Sequence, residues 1–193
     1  YHVIRAGKRT WCAGQMLYIA VTSALYFLFL AVFSVMINLP YISFESDWGL
    51  AVNTLCKTSA GMDLGVKLFF PASIPAYFSP LQAMWFSFLL LTISGIFLGL
   101  LILCLNIFSE SRAVGAIAAC IFLLFDAVTT EQNALRWFSP VSWNNIATVA
   151  IGDVTYLPGF TYIMAGYTVL IAFLIACAVI RIRKRNIQVL LPV

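Results

Sequence analysis

The sequence predicts an all-α integral membrane protein with four transmembrane helices. Hydrophobic residues make up 63% of the 193-residue chain and charged residues only 9%, whereas a soluble domain carries about 25% charged residues. Four stretches with almost no charge are long enough to cross a bilayer, which takes about 20 apolar residues in a helix. Prolines flank three of these stretches, where a helix is expected to begin or to end.

The predicted spans belong to a single polytopic domain, residues 1–193. They cover about 15–39, 81–107, 113–130 and 161–180. Pro40 follows the first span and Pro80 precedes the second. Because the chain starts with Tyr1 rather than Met, we expect it to be part of a longer protein.

Two longer connections join the spans on one side. In residues 41–80, DWGLAVNTLCKTSAGM predicts a short amphipathic helix ended by Gly61. The proline-rich FFPASIPAYFSP that follows predicts an irregular segment at the membrane interface. Residues 131–160 mix polar and aromatic side chains, which is typical of a short surface helix or a re-entrant turn.

Lys and Arg divide unevenly between the two sides of the predicted spans. Eight fall on one side: Arg5, Lys8, Arg9, Arg112, Arg181, Arg183, Lys184 and Arg185. Three fall on the other: Lys57, Lys67 and Arg136. Because short cytoplasmic segments are enriched in Lys and Arg, both ends of the chain and the turn between the second and third spans are predicted to be cytoplasmic.

Catalytic and metal-binding patterns are missing from the sequence. His2 is the only histidine, the five cysteines form no CxxC pair, and no glycine-rich loop ends in the Lys-Ser/Thr of a phosphate-binding loop. The aromatic residues lie mostly in apolar runs, which argues against nucleic-acid binding. We therefore expect no enzyme, and no metal or cofactor held by this chain.

The opening segment YHVIRAGKRTW interleaves cations with apolar residues. Such an amphipathic stretch lies on a membrane or docks into a partner's groove. Arg5, Lys8, Arg9 and Trp11 are therefore candidates for docking on a partner. The alternative is that these cations only set the topology and contact anionic lipid.

Asp126 is the only ionisable residue within a predicted span. A carboxylate at depth in lipid is costly and is expected to have a partner. Arg136 is the only cation of the following loop. We predict that the two side chains pair and fix the outer end of a translocation path. The alternative is that Asp126 caps a helix among the lipid headgroups.

Small residues recur at a spacing of four in the second and third spans. The pairs are Gly95 with Gly99, and Gly115 with Ala119. Small residues at this spacing let two helix backbones approach closely. They predict helix packing, either within the chain or against a second membrane subunit.

Several segments together resemble the permease subunit of ATP-binding cassette (ABC) transporters of the type-2 exporter class. They are RAGKRTWCAGQMLYI, LPYISFESDWG, SPLQAMWFSFLLLTISGIFLGLLILCLNIF and WFSPVSWNNIA. The resemblance covers nearly the whole chain, which corresponds to the C-terminal two-thirds of such a permease, without the first two of six spans.

The resemblance implies a division of labour between subunits. A separate cytoplasmic subunit would bind ATP and Mg²⁺, and it would dock on the segment that contains Arg5, Lys8, Arg9 and Trp11. The permease would pair with a second permease subunit, identical or different, in a bacterial cell membrane. The alternative function is a membrane scaffold or assembly protein that transports nothing.

Overall fold

The computed structural model describes residues 7–39, 47–58, 73–109, 111–129, 133–152 and 157–184. All regular elements within these ranges are helical. The α-helices are α1 (Lys8–Asn38), α2 (Gly49–Lys57), α3 (Ser73–Tyr77), α4 (Pro80–Ser109), α5 (Arg112–Thr129) and α6 (Phe160–Lys184). Three 3-10 turns lie between α5 and α6: η1 (Asn133–Trp137), η2 (Ser142–Asn144) and η3 (Ile146–Thr148).

Three helices, α1, α4 and α6, are long and apolar enough to cross a membrane, and α5 is a shorter apolar helix. At 1.5 Å per residue the 30 residues of α4 span about 45 Å, and the 18 residues of α5 about 27 Å. The hydrocarbon core of a bilayer is about 30 Å thick. The predicted fold class, an all-α membrane protein with about four apolar helices, is confirmed.

The helix limits differ from the predicted ones mainly at the start of α1. This helix begins at Lys8, several residues before the predicted apolar span, because its first turns are built from the basic and aromatic opening segment. The start of α4 follows a capping box: the Ser79 N–H donates to Gln82 Oε1 at 3.0 Å, and the Gln82 N–H donates to Ser79 Oγ at 3.3 Å. Pro80 occupies the first helical position between them.

Two predictions for the first connection need correction. The amphipathic helix α2 ends at Lys57, because the next residue, Thr58, has an extended backbone and its hydroxyl donates to Thr54 O at 2.6 Å. The predicted end at Gly61 lies outside the described residues. The segment expected to be irregular contains the short helix α3, whose Ile74 is buried.

Helix α4 runs antiparallel to both α1 and α5. A Cβ atom on Gly95 would meet Phe27 at 2.7 Å, and one on Gly99, a turn later, would meet Ile19 at 2.5 Å, earlier in α1. The Phe97 ring lies edge-on to Phe122 of α5, with 6.1 Å between centroids. The first turns of α1 and α5 therefore lie at the end of the bundle where α4 stops.

Helix α6 runs parallel to α4. Phe86 contacts Phe160 near the start of both helices, with 5.5 Å between ring centroids. At the other end, the Arg181 guanidinium lies 5.5 Å from the centroid of the Phe108 ring. The bundle thus has a basic end, where α1 and α5 begin and α4 and α6 stop, and an opposite end, where α4 and α6 begin.

The core of the bundle surrounds α4, which contacts α1, α5 and α6. Its buried apolar side chains include Leu90, Phe97 and Leu100, packed with Ile163 and Tyr167 of α6. Most of α1 by contrast exposes large apolar side chains. They include Tyr18, Leu25, Phe29, Phe33 and Met36. An exposed apolar surface of this extent fits a lipid environment or a membrane-embedded partner.

Candidate functional site

The 3-10 segment, residues 133–148, forms the centre of the opposite end of the bundle. Its Asn, Ser and Thr residues favour side-chain hydrogen bonds to the backbone over a continuous helix, and Pro140 cannot continue a helix. The Asn145 side chain accepts from the Ala147 N–H at 2.9 Å, and the Thr148 hydroxyl donates to Asn145 O at 2.7 Å. These local bonds hold the chain in short turns that pack against α4 and α5.

Trp143 anchors the 3-10 segment to α6. Its side chain is only 4% exposed. The indole lies edge-on to Tyr162 and Tyr167, at centroid distances of 5.6 and 5.4 Å. It also covers Gly166, where a Cβ atom would lie 2.7 Å from the ring. A larger residue in place of Gly166 would displace the indole, so this glycine makes room for the anchor.

Backbone carbonyls of the 3-10 segment are satisfied by aromatic side chains. The Trp143 indole N–H donates to Arg136 O at 2.8 Å, and the Tyr162 hydroxyl donates to Trp137 O at 3.0 Å. The Tyr167 hydroxyl donates to Pro140 O at 2.5 Å. Irregular backbone at membrane depth is tolerated only when its polar groups find partners in the protein or line a water-filled cavity. These three bonds meet that requirement for the three carbonyls that they pair.

Asp126 lies in the last turn of α5 and contacts the same segment. The hydroxyl of the buried Ser142 donates to Asp126 Oδ1 at 2.6 Å. The buried Ser94 of α4 lies beside the Tyr167 hydroxyl. Asp126, Ser142, Ser94 and Tyr167 thus place polar groups from α4, α5, α6 and the 3-10 segment at one level of the bundle. The Asp126 side chain therefore has a hydrogen-bond partner within the protein.

Arg136 belongs to η1, which packs against α5. The structure therefore brings Arg136 to the end of the bundle that contains Asp126. Its side chain is partly buried. The direct pairing of the two side chains stays a prediction, whereas the bond from Ser142 to Asp126 is a contact that the sequence analysis did not foresee.

The candidates for docking on a partner lie at the basic end. Lys8 and Arg9 are on the first turn of α1, directly after Gly7, and the Arg9 side chain is exposed. Trp11 is partly buried against the helix core, next to Cys12, which is 2% exposed. The Arg9 side chain is therefore accessible to a partner, whereas only part of the Trp11 ring is accessible. Arg5 lies outside the described residues.

The small residues lie at helix contacts inside the chain. Gly95 and Gly99 face α1, as described above. A Cβ atom on Gly115 would lie 2.5 Å from Ile102 O of α4, and Ala119 on the next turn of α5 is buried. The Gly115 N–H also donates to Asn106 Oδ1 at 2.8 Å. The Asn106 side chain thereby satisfies an amide of the first turn of α5, a role that its position in an apolar run did not reveal.

Neither a metal centre nor a match to known proteins defines this site. Among the described residues, no group of three or more His, Cys, Asp and Glu side chains could hold a metal ion. Comparisons with protein-family models, curated proteins and solved structures give no match. The function is therefore inferred from the residues and contacts of the chain itself.

Proposed function

We propose that this chain is the membrane-spanning permease subunit of an ABC exporter. It moves a substrate across the cell membrane together with a second permease subunit. ATP is hydrolysed by a separate cytoplasmic subunit that docks at the basic end. This proposal extends the segment-by-segment resemblance given above, and it assigns a different task to each end of the bundle.

The observation that carries the proposal is the packing of the 3-10 segment against α4, α5 and α6 at the opposite end of the bundle. A transport path needs an end that can close and reopen. Here α5 is shorter than α4. The 3-10 segment that follows it closes the space between α4, α5 and α6 with Trp143 and with hydrogen bonds to Tyr167 and Asp126. Packed cores switch between discrete arrangements rather than deforming continuously. The 3-10 segment is held by a few directional contacts, which suits it to a change between two such arrangements.

The basic end supports the assignment of the docking side. Six cations of the described residues lie there: Lys8, Arg9, Arg112, Arg181, Arg183 and Lys184. By the positive-inside rule, this excess supports placing the basic end on the cytoplasmic side. Orientation is testable by cysteine labelling in intact cells, in a background where Cys56 is replaced by Ala. Thr54→Cys should react with an impermeant reagent, and Ser109→Cys should not. The reverse pattern would contradict the proposed orientation.

Coupling between the two ends would run through α1 and α4. Gly95 and Gly99 bring these helices into close contact. A displacement of the first turn of α1 would therefore be transmitted to α4. Helix α4 in turn contacts η2 and η3 of the 3-10 segment. The nucleotide can drive export only if its binding changes the relative stability of two such arrangements.

The docking step can be tested by co-purification. The tagged full-length protein, isolated from its native membrane, should bring with it a subunit that hydrolyses ATP. Arg9→Glu should lower the amount of that subunit about tenfold, since reversing a charge at an interface costs more than about 1.4 kcal/mol. Arg183→Glu, an exposed cation at the same end outside the docking segment, is the matched control.

The same co-purification also separates the proposal from its alternative. If no ATP-hydrolysing subunit accompanies the protein, the scaffold function is favoured. If the subunit is present and both charge reversals release it equally, the basic end attracts it through net charge and the assigned docking segment is wrong.

A further inference from the structure

A second feature of the opposite end is an apolar cavity of about 390 Å³ that is partly open to the surface. Its walls come from α3, the first turns of α4, the stretch after η3 and the start of α6. Its lining residues include Phe86, Leu90, Val149, Ile151 and Phe160. Ligand pockets typically have volumes of about 300–1,000 Å³ and mainly apolar and aromatic linings.

Two main-chain polar groups at the cavity are already paired. The Trp48 indole N–H donates to Phe78 O at 2.6 Å, and the Ala150 N–H donates to Pro158 O at 2.9 Å. Among the lining residues that the structure describes, only Tyr77 carries a polar side-chain atom, its hydroxyl. Apart from that hydroxyl, these side chains would offer a ligand only hydrocarbon.

The cavity lies at the level where two membrane helices begin. Pro80 is the first residue of α4 and Phe160 the first of α6. Leu90 is ten residues into α4, about 15 Å along its axis. The cavity thus extends from the end of the helices into the part of the bundle that lipid chains would surround.

From its volume, lining and depth, we propose that this cavity binds one linear hydrocarbon chain of an amphiphile, with the polar head beside Tyr77. At about 30 Å³ per group, the volume of a water molecule and close to that of a methylene, the cavity has room for roughly twelve chain carbons. The chain could belong to a free fatty acid or to a membrane phospholipid, since both present the same hydrocarbon.

Gly152 shapes the entrance. It has a positive φ of 67°, and a Cβ atom there would lie 2.5 Å from the Tyr77 hydroxyl. The glycine lets the chain turn directly against the tyrosine ring. Tyr77 is thereby held at the mouth of the cavity.

Photo-crosslinking of the full-length protein in lipid nanodiscs tests this inference. One arm uses a fatty acid of about twelve carbons, chosen from the cavity volume, with a diazirine near its methyl end. The other arm uses a phospholipid that carries the same chain. We expect crosslinks on the peptides around Leu90 and Ala150 in at least one arm, and the arm that labels identifies the source of the chain.

Two variants make the test specific. Ala150→Leu fills the cavity and should lower the labelling of these peptides by at least about fivefold, because the added side chain takes space that the ligand needs. Ala165→Leu, at an exposed position on α6, should leave it unchanged. In the unsubstituted protein, excess unlabelled dodecanoic acid should compete for the site, and a bulky fused-ring detergent such as cholate should not.

The inference is overturned if neither probe labels these peptides, if Ala150→Leu labels as strongly as Ala165→Leu, or if cholate competes as well as the linear acid. None of these readouts involves ATP or transport. The failure of this inference and the failure of the permease proposal are therefore separate outcomes.

Discussion

Replacement of Trp143 should open the end of the bundle that the 3-10 segment closes. The indole is 4% exposed, contacts two tyrosine rings of α6 and donates to Arg136 O at 2.8 Å. Trp143→Ala removes all of these contacts at once. Trp143→Phe keeps an aromatic ring but removes the N–H donor, so the two variants separate packing from hydrogen bonding.

The expected losses of stability follow from these contacts. Truncation of a buried tryptophan to alanine costs about 3–5 kcal/mol. Loss of the donor alone costs about 1–3 kcal/mol, because a buried carbonyl loses a partner. For a chain of this length, a loss of about 4 kcal/mol lowers the melting temperature on the order of 10 °C. Trp143→Ala should therefore be clearly less stable than Trp143→Phe.

The assay is thermal unfolding of the purified protein in detergent, followed by intrinsic fluorescence or by loss of monomer on gel filtration. Trp85→Ala is the matched control, because Trp85 is 56% exposed on the surface of α4. It should change the free energy of unfolding by less than about 1 kcal/mol. A Trp143→Ala variant no less stable than Trp85→Ala would refute the anchoring role.

Further variants test the polar contacts and the helix contacts. In a double-mutant cycle, Asp126→Asn and Ser142→Ala should couple by about 1 kcal/mol or more, because a hydrogen bond to a charged group is stronger than a neutral one. The parallel cycle with Arg136→Gln tests the predicted ion pair, and effects that add within about 0.5 kcal/mol would reject it. Gly115→Ala should destabilise the protein by about 1–3 kcal/mol, since its Cβ would lie 2.5 Å from a main-chain oxygen of α4. Gly14→Ala, with nothing within 4 Å of the added carbon, should be neutral or stabilising by up to about 1 kcal/mol in the same thermal assay.

The membrane helices were predictable from the sequence because their signal is local. Long apolar runs placed the four apolar helices, and the motif Ser79-Pro80 with Gln82 marks the start of α4 through bonds within one turn. The start of α1 was placed too late, because the cations and Trp11 interrupt the apolar run while remaining compatible with a helix. Hydropathy alone therefore underestimates a span whose first turn carries cations.

The contacts of the 3-10 segment were not predictable, because they join residues far apart in the sequence. Asp126 could be identified as an acid that needs a partner, but Ser142, 16 residues further on, is one of several polar residues in its loop. Trp143 carried no signal that distinguished it from Trp137. The one available hint was Gly166, a glycine in an apolar helix, whose missing side chain makes room for the indole.

The most direct test of the proposed function follows the opposite end of the bundle during ATP hydrolysis. Ser139 is fully buried there beside Ser142, and Ser139→Cys adds a nearly isosteric thiol, in a background where Cys56 is replaced by Ala. In the purified complex with its ATP-hydrolysing subunit, this thiol should react slowly with a polar reagent without nucleotide, and faster with ATP. Leu50→Cys, at a position that is 89% exposed, should react fast in both states. Equal protection of the thiol at position 139 with and without ATP, in a complex that hydrolyses ATP, would contradict the account.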